Sequence, residues 1–142
     1  MTLQKVIYTD QQSAEDIPGL DDWAILSITE PDWYPAKLKD GWHDILRLEF
    51  HDIDLYTEPY VLFNQQQARD IIRFVGNCHD AGVNGVVVHC KAGISRSAAV
   101  AKWIAENYNL AFPDGYTLYN KQVYRVLQEQ GLAGFESEEG NS

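Results

Sequence analysis

The stretch VVVHCKAGISRSAAVAKWIAE, residues 86–106, has the organisation of a strand, a glycine-bearing loop and a helix. Gly85 to His89 is a short β-branched run without polar alternation, which is typical of a strand buried on both faces. From about Ser95 to Tyr108 the apolar residues recur at helical spacing. In sheets built from such units, ligands bind beyond the carboxyl ends of the strands, so we expect the chemistry in the loop between strand and helix.

The same kind of pattern predicts the remaining elements. Strands are predicted at Lys5–Tyr8, Trp23–Ile28 and Ile45–Phe50, a polar stretch without assigned structure at Thr9–Asp16, and helices at Asn64–His79 and Asn120–Gln130, the last ended by Gly131. Strands that alternate with helices indicate an α/β fold with a central, mainly parallel sheet of four to five strands flanked by helices. We expect one domain over residues 1–134 and an acidic, flexible tail over 135–142.

Composition narrows the classes of partner. The formal net charge is −10, from 21 acidic and 11 basic side chains, which disfavours a nucleic acid or an anionic membrane as partner. Two cysteines, Cys78 and Cys90, suit neither a secreted disulfide scaffold nor a zinc site. The sequence has neither a signal-peptide pattern nor an apolar run long enough for a membrane span. We therefore expect a soluble, cytoplasmic, monomeric protein.

The loop itself predicts an anion site. A compact turn into a helix N-terminus points backbone N–H groups inward, and the helix dipole adds positive potential there. Gly93 permits backbone conformations that a side chain would obstruct, and Arg96 can form a two-pronged bond to an oxyanion. The same field favours the thiolate form of a cysteine, so Cys90 is a candidate nucleophile. Ser97 can stabilise the sulfur, and we expect His89 to brace the loop.

The segment HCKAGISRS, residues 89–97, resembles the signature loop of the cysteine-dependent protein tyrosine phosphatases, in particular the compact dual-specificity branch. The resemblance covers most of the chain and implies a phosphocysteine mechanism with no metal and no other cofactor. It assigns the nucleophile to Cys90, the phosphate clamp to Arg96, the sulfur partner to Ser97, and the phosphate cradle to the amides of Lys91, Ala92, Gly93, Ile94, Ser95 and Arg96. His89 keeps the supporting role that the loop itself predicts.

The resemblance also implies a general acid, an Asp on a loop upstream of the cysteine. Asp52 and Asp54 both follow the predicted strand ILRLEF. The match of LRLEFHD to the strand-then-Asp pattern of the family favours Asp52 over Asp54. Both residues can instead be solvated turn residues, so the choice stays open at this point.

The expected function is that of a phosphoprotein phosphatase, tyrosine-directed or of dual specificity, whose substrate is a phosphorylated protein or peptide. Two alternatives remain. One is a phosphatase for a non-protein ester such as a phosphoinositide, a nucleotide or an RNA 5′ phosphate, which Lys91 favours and the apolar Ile94 disfavours. The other is a non-catalytic phosphate-binding module.

Two smaller features have competing interpretations. Cys78 is either a buried core residue or a partner that traps Cys90 in a disulfide under oxidation. The aromatic residues Trp33, Tyr34 and Trp42 either flank a phosphotyrosine ring or cap the core.

Overall fold

The computed structural model describes residues 2–140, the side chains of 133–140 excepted. Its elements follow in the order β1 (Lys5–Asp10), α1 (Gln11–Asp16), β2 (Trp23–Thr29), β3 (Ile45–Glu49), α2 (Gln65–Asp80), β4 (Gly85–Cys90), α3 (Arg96–Tyr108) and α4 (Lys121–Gly140). The predicted α/β class is confirmed. No helix within residues 2–140 is both long and apolar enough to cross a membrane.

The four strands form one parallel sheet in the order β1-β4-β2-β3. β4 therefore lies inside the sheet, and all six of its residues are buried, as the uninterrupted β-branched run predicts. β3 is an edge strand, and its alternation holds, because Leu48 and Phe50 are buried whereas Glu49 is exposed. Since the strands are parallel, all their carboxyl ends meet at one edge, which we call the carboxyl edge.

The sheet carries its main core on one face. Helices α2, α3 and α4 pack there, and α3 is so deeply placed that Ala98, Ala99, Val100 and Ala101 are fully buried. The other face is covered by a smaller cluster of Ala14 from α1 with side chains from the loops around it. Two covered faces leave the carboxyl edge as the place where backbone and polar groups can meet a ligand.

The predicted start of α2 is confirmed in atomic detail. The Asn64 side chain accepts a hydrogen bond from the Gln67 amide at 2.8 Å, and the Gln67 side chain accepts one from the Asn64 amide at 3.1 Å. This reciprocal pair is a capping box, which satisfies two amides that the first helical turn leaves without partners.

Two predicted boundaries are wrong. The polar stretch Thr9–Asp16 continues β1 to Asp10 and then forms α1, whose N-cap is Asp10. The Ser13 hydroxyl and amide donate to that carboxylate, and these hydrogen bonds hold the pKa of Asp10 below its usual value.

The second wrong boundary is Gly131, which does not end α4, because the helix continues to Gly140. An interior glycine costs a helix only about 1 kcal/mol, and Gly131 lies beside the Trp103 ring, where an added Cβ would make an ordinary contact at 3.4 Å. Of the predicted tail, 135–142, residues 141–142 lie outside the described residues, and its flexibility stays a prediction.

Cys78 is a core residue, and the disulfide with Cys90 is not supported. The Cys78 carbonyl accepts from the amide of Val83, which precedes β4, whereas Cys90 ends β4. β4 rises about 3.3 Å per residue, so its first residue, near Cys78, lies roughly 17 Å from Cys90 at its other end. A disulfide needs Cα atoms within about 7 Å. Burial raises the pKa of Cys78 to about 11, which makes its thiol unreactive at neutral pH.

Candidate active site

Cys90 lies at the carboxyl edge, as the last residue of β4. Its side chain is buried, with only 2% of its surface exposed. The Cys90 Sγ lies 3.1 Å from the Ser97 Oγ, which belongs to the first turn of α3. The hydroxyl is therefore close enough to donate a hydrogen bond to a sulfur anion.

The loop between β4 and α3 has free backbone donors. No amide from Lys91 to Arg96 donates a hydrogen bond to another residue of the described chain, 2–140. Gly93 has φ +70°, and a Cβ there would lie 2.4 Å from the Asp10 nitrogen at the end of β1. The loop is thus folded tightly against the neighbouring strand with its amides unpaired, an arrangement that binds oxyanions.

Arg96 is fixed from two sides and keeps one edge free. Its Nη1 donates to the Phe50 carbonyl at 2.8 Å, and its Nη2 lies 4.0 Å from the Glu30 Oε1. The Nε is buried and has no hydrogen-bond partner among the described residues. An unpaired buried donor is costly, and the Nε–Nη2 edge of a guanidinium matches two oxygens of a phosphate.

His89 lies beneath the loop and is fully buried. Its Nε2 lies 2.6 Å from the Ser27 Oγ, its register partner on β2. Burial lowers the pKa of His89, while the Cys90 backbone carbonyl and the Glu15 carboxylate oppose that shift. A neutral ring bonded to the next strand fits the predicted bracing role better than proton transfer.

The structure separates the two candidate acids. Asp52 Oδ1 accepts hydrogen bonds from the Ser95 Oγ and the Asn120 Nδ2, each at 2.8 Å. Ser95 belongs to the loop between β4 and α3, which we call the phosphate loop after its predicted role. A hydrogen bond therefore joins Asp52 directly to this loop. Both aspartates are exposed, and Asp54 makes no hydrogen bond within the described chain. Both carboxylates line a cavity of about 310 Å³ beside the loop.

Three residues near the loop were not predicted from the sequence. Besides Glu30 and Asn120, the Tyr116 Oη donates to the Ile94 carbonyl at 2.5 Å, and burial raises the pKa of Tyr116. An Asn before an amphipathic helix does signal an N-cap. The hydrogen bond from Asn120 to Asp52, which lies 68 positions away in the chain, cannot be predicted from local sequence.

A parallel sheet with a Cys-x5-Arg loop at its carboxyl edge is the fold of dual-specificity phosphatase-like proteins, and this chain has that fold. Comparison with solved structures confirms it. The human tyrosine phosphatase-like serine/threonine/tyrosine-interacting protein is 19% identical, with a TM-score of 0.62 over 92% of this chain and 93% of that one. Human DUSP28 is 15% identical, with a TM-score of 0.59 over 93% and 94%.

Comparisons at the sequence level add nothing to this result. No family model matches the chain, and no curated protein matches it. The structural likeness therefore establishes the fold and leaves catalysis to be argued from the site. The name of the first neighbour, a phosphatase-like interacting protein, makes that distinction necessary.

Gly93→Ala should abolish oxyanion binding. The new methyl would meet the Asp10 backbone, and the loop would have to open. Gly115→Ala is the matched control, because Gly115 has φ +74° and an added methyl there would meet nothing within 4 Å, so both variants carry the same left-handed strain of roughly 1–2 kcal/mol. The measurement is the rise in melting temperature with tungstate, a phosphate-like oxyanion. An equal rise in both variants would contradict the packed-loop account.

Proposed function

We propose that this protein is a cysteine-dependent phosphatase that hydrolyses phosphate monoesters on proteins or peptides through a phosphocysteine intermediate. One observation carries the proposal. The Cys90 sulfur, the unpaired amides of residues 91–96 and the free edge of Arg96 belong to a single loop at the carboxyl edge. A phosphate bound by the amides and the guanidinium would present its phosphorus to the sulfur.

The proposed reaction has two steps. The Cys90 thiolate attacks phosphorus, the bond to the ester oxygen breaks, and Asp52 gives its proton to the leaving alcohol or phenol. A water then attacks phosphorus while Asp52 takes the water proton, the P–S bond breaks to return the Cys90 thiolate, and inorganic phosphate leaves. In that second step Ser97 can donate to the departing sulfur, which lies 3.1 Å from its hydroxyl.

Asp52 is the better candidate for the acid because of its position. Its carboxylate bonds to Ser95, a member of the phosphate loop, whereas Asp54 makes no such contact within the described chain. A general acid must lie within hydrogen-bond reach of the leaving oxygen, and geometry is the first criterion. This supports the choice that the sequence pattern favours.

The surroundings of the loop favour a peptide over a small polyanion. Among the described residues, eight of the twelve large apolar side chains that are exposed lie in the segments that follow β2, β3 and β4 or lead into α4: Trp33, Tyr34, Leu55, Tyr56, Tyr60, Val61, Ile94 and Leu118. We call these residues the apolar rim. Trp42, in contrast, is half-buried and packs against the smaller core cluster. An apolar rim around a binding site is typical of a surface that contacts another protein.

The charge of the same loops also favours a peptide over a small polyanion. Glu30, Asp32, Asp54 and Glu58 add negative charge near the apolar rim. Such a field repels inositides, nucleotides and RNA ends that carry further phosphates. The proposed substrate is a phosphorylated segment with apolar and basic neighbours. We further propose that the protein works as a monomer in the reducing cytoplasm, where the Cys90 thiolate is preserved.

Turnover of p-nitrophenyl phosphate is the direct test of the enzyme. We expect hydrolysis that persists with a chelator and stops with vanadate, and we expect Cys90→Ser to abolish it while tungstate still binds, because the amides and Arg96 remain. Cys78→Ser is the matched control and should retain activity. Oxyanion binding without any turnover by the wild-type protein would instead support the non-catalytic module.

Replacing each aspartate separately tests the assignment of the acid. Asp52→Ala should lower kcat by about 10²–10⁴-fold with little change in KM. Asp54→Ala should have a much smaller effect, since that carboxylate makes no hydrogen bond to the phosphate loop among the described residues. An equal drop in kcat from Asp54→Ala alone would transfer the role to Asp54.

Matched phosphopeptides test the substrate class. Peptides with basic and apolar residues beside the phosphorylated tyrosine should show a higher kcat/KM than peptides of the same length with acidic neighbours, and added salt should narrow the difference. Trp33→Ala should reduce the preference for apolar neighbours, with Leu132→Ala, exposed on α4, as control. Equal kcat/KM for both peptides, or faster turnover of an inositide, would reject a peptide substrate.

A further inference from the structure

Asn120 connects three parts of the site through one buried side chain. It precedes α4 and is 7% exposed. Its Oδ1 accepts from the Val123 amide at 2.9 Å, the geometry of a helix N-cap. Its own backbone amide donates to the Ser95 carbonyl at 3.1 Å. Asn120 thus links the start of α4 to the phosphate loop.

The amide nitrogen of the same side chain donates to the loop that carries Asp52. Asn120 Nδ2 donates to the Asp52 Oδ1 at 2.8 Å and to the Ile53 carbonyl at 3.1 Å. The orientation of the amide is fixed, because the Val123 N–H can only donate and therefore requires the oxygen. Both Nδ2 hydrogens have acceptors, so the polar groups of the side chain are fully used.

These contacts distinguish the two oxygens of Asp52. Ser95 and Asn120 both donate to Oδ1, and Oδ2 has no hydrogen-bond partner in the described part of the chain. The proton that a general acid delivers would therefore be carried on Oδ2. Ser95 alone would hold the carboxylate by one rotatable hydroxyl, whereas the Asn120 amide is rigidly capped into α4.

We propose that Asn120 is a positioning residue that holds Asp52 so that Oδ2 can deliver a proton to the leaving oxygen. This rests on the proposed function, because it assigns a role within the same reaction. The prediction that follows is specific. Loss of the Asn120 amide should impair the reaction only where the leaving group needs a proton.

Two variants separate positioning from helix capping. Asn120→Asp keeps an acceptor for Val123, since Asp is as good an N-cap as Asn. It replaces the donor to Asp52 by a second carboxylate oxygen. Two carboxylates in contact hold a shared proton between them, and this proton is then not on Oδ2. Asn120→Ala removes both the cap and the donor. We expect a lower melting temperature for Asn120→Ala and a nearly unchanged one for Asn120→Asp.

The readout is kcat/KM on two substrates, which reports the steps up to phosphocysteine formation. Phenyl phosphate has a poor leaving group that needs the proton, and 2,4-dinitrophenyl phosphate has one that leaves without it. For both variants kcat/KM should fall by about 10²-fold on phenyl phosphate and little on the dinitrophenyl ester. The ratio of the two values cancels any loss of phosphate binding, which affects both substrates alike.

The Asp52→Ala background completes the test. There Asn120→Ala should leave the ratio unchanged, because its effect acts through Asp52. Two results would overturn the inference: an unchanged ratio in the single variants, as equal losses on both substrates would give, or a further change of the ratio without Asp52. Each of these requires an active wild-type protein. A wild type without turnover would reject the proposed function and this role together, so the two failures are distinguishable.

Discussion

The unpaired amides between Lys91 and Arg96 are the constraint on which the site depends. Backbone donors without partners are unfavourable, and a loop keeps them only when its shape is imposed from outside. Here the shape comes from contact with β1, because Gly93 packs against the backbone of Asp10 and the Gln11 amide donates to the Lys91 carbonyl. The shape of the loop is therefore set before any anion arrives, and binding does not have to order it.

The parallel order of the strands explains how one short loop is held from several directions. β4 lies between β1 and β2, so the chain ends of both neighbours reach its loop. Ser27 on β2 fixes His89, and Phe50 at the end of β3 accepts from Arg96. Asn120, at the start of α4, fixes the other side. An antiparallel neighbour would present its opposite end here, and these contacts could not form together.

Local sequence was sufficient for the loop and for every element except the short helix α1, and its failures at the site lie where contacts join distant segments. The β-branched run of β4 and the capping box at Asn64 each depend on residues that are close together in the chain. The hydrophobic pattern and the capping signal therefore predict them. The end of α4 was misjudged because the cost of one interior glycine is small, and the helix continues through Gly131 to Gly140. Asn120 and Glu30 were missed as site residues because only the folded sheet brings them beside Asp52 and Arg96.

A net charge of −10 conflicts at first sight with a site for a dianion, and the conflict is resolved by distance. Charges that are exposed and farther apart than about 8 Å are largely screened at physiological ionic strength. The amides and the free edge of Arg96, a residue that is itself buried, act within hydrogen-bond distance, where screening is weak. The binding of one phosphate is thus a short-range property. The acidic surface acts at longer range, so under the proposed function the overall charge would select among substrates by what else they carry without preventing the binding of phosphate.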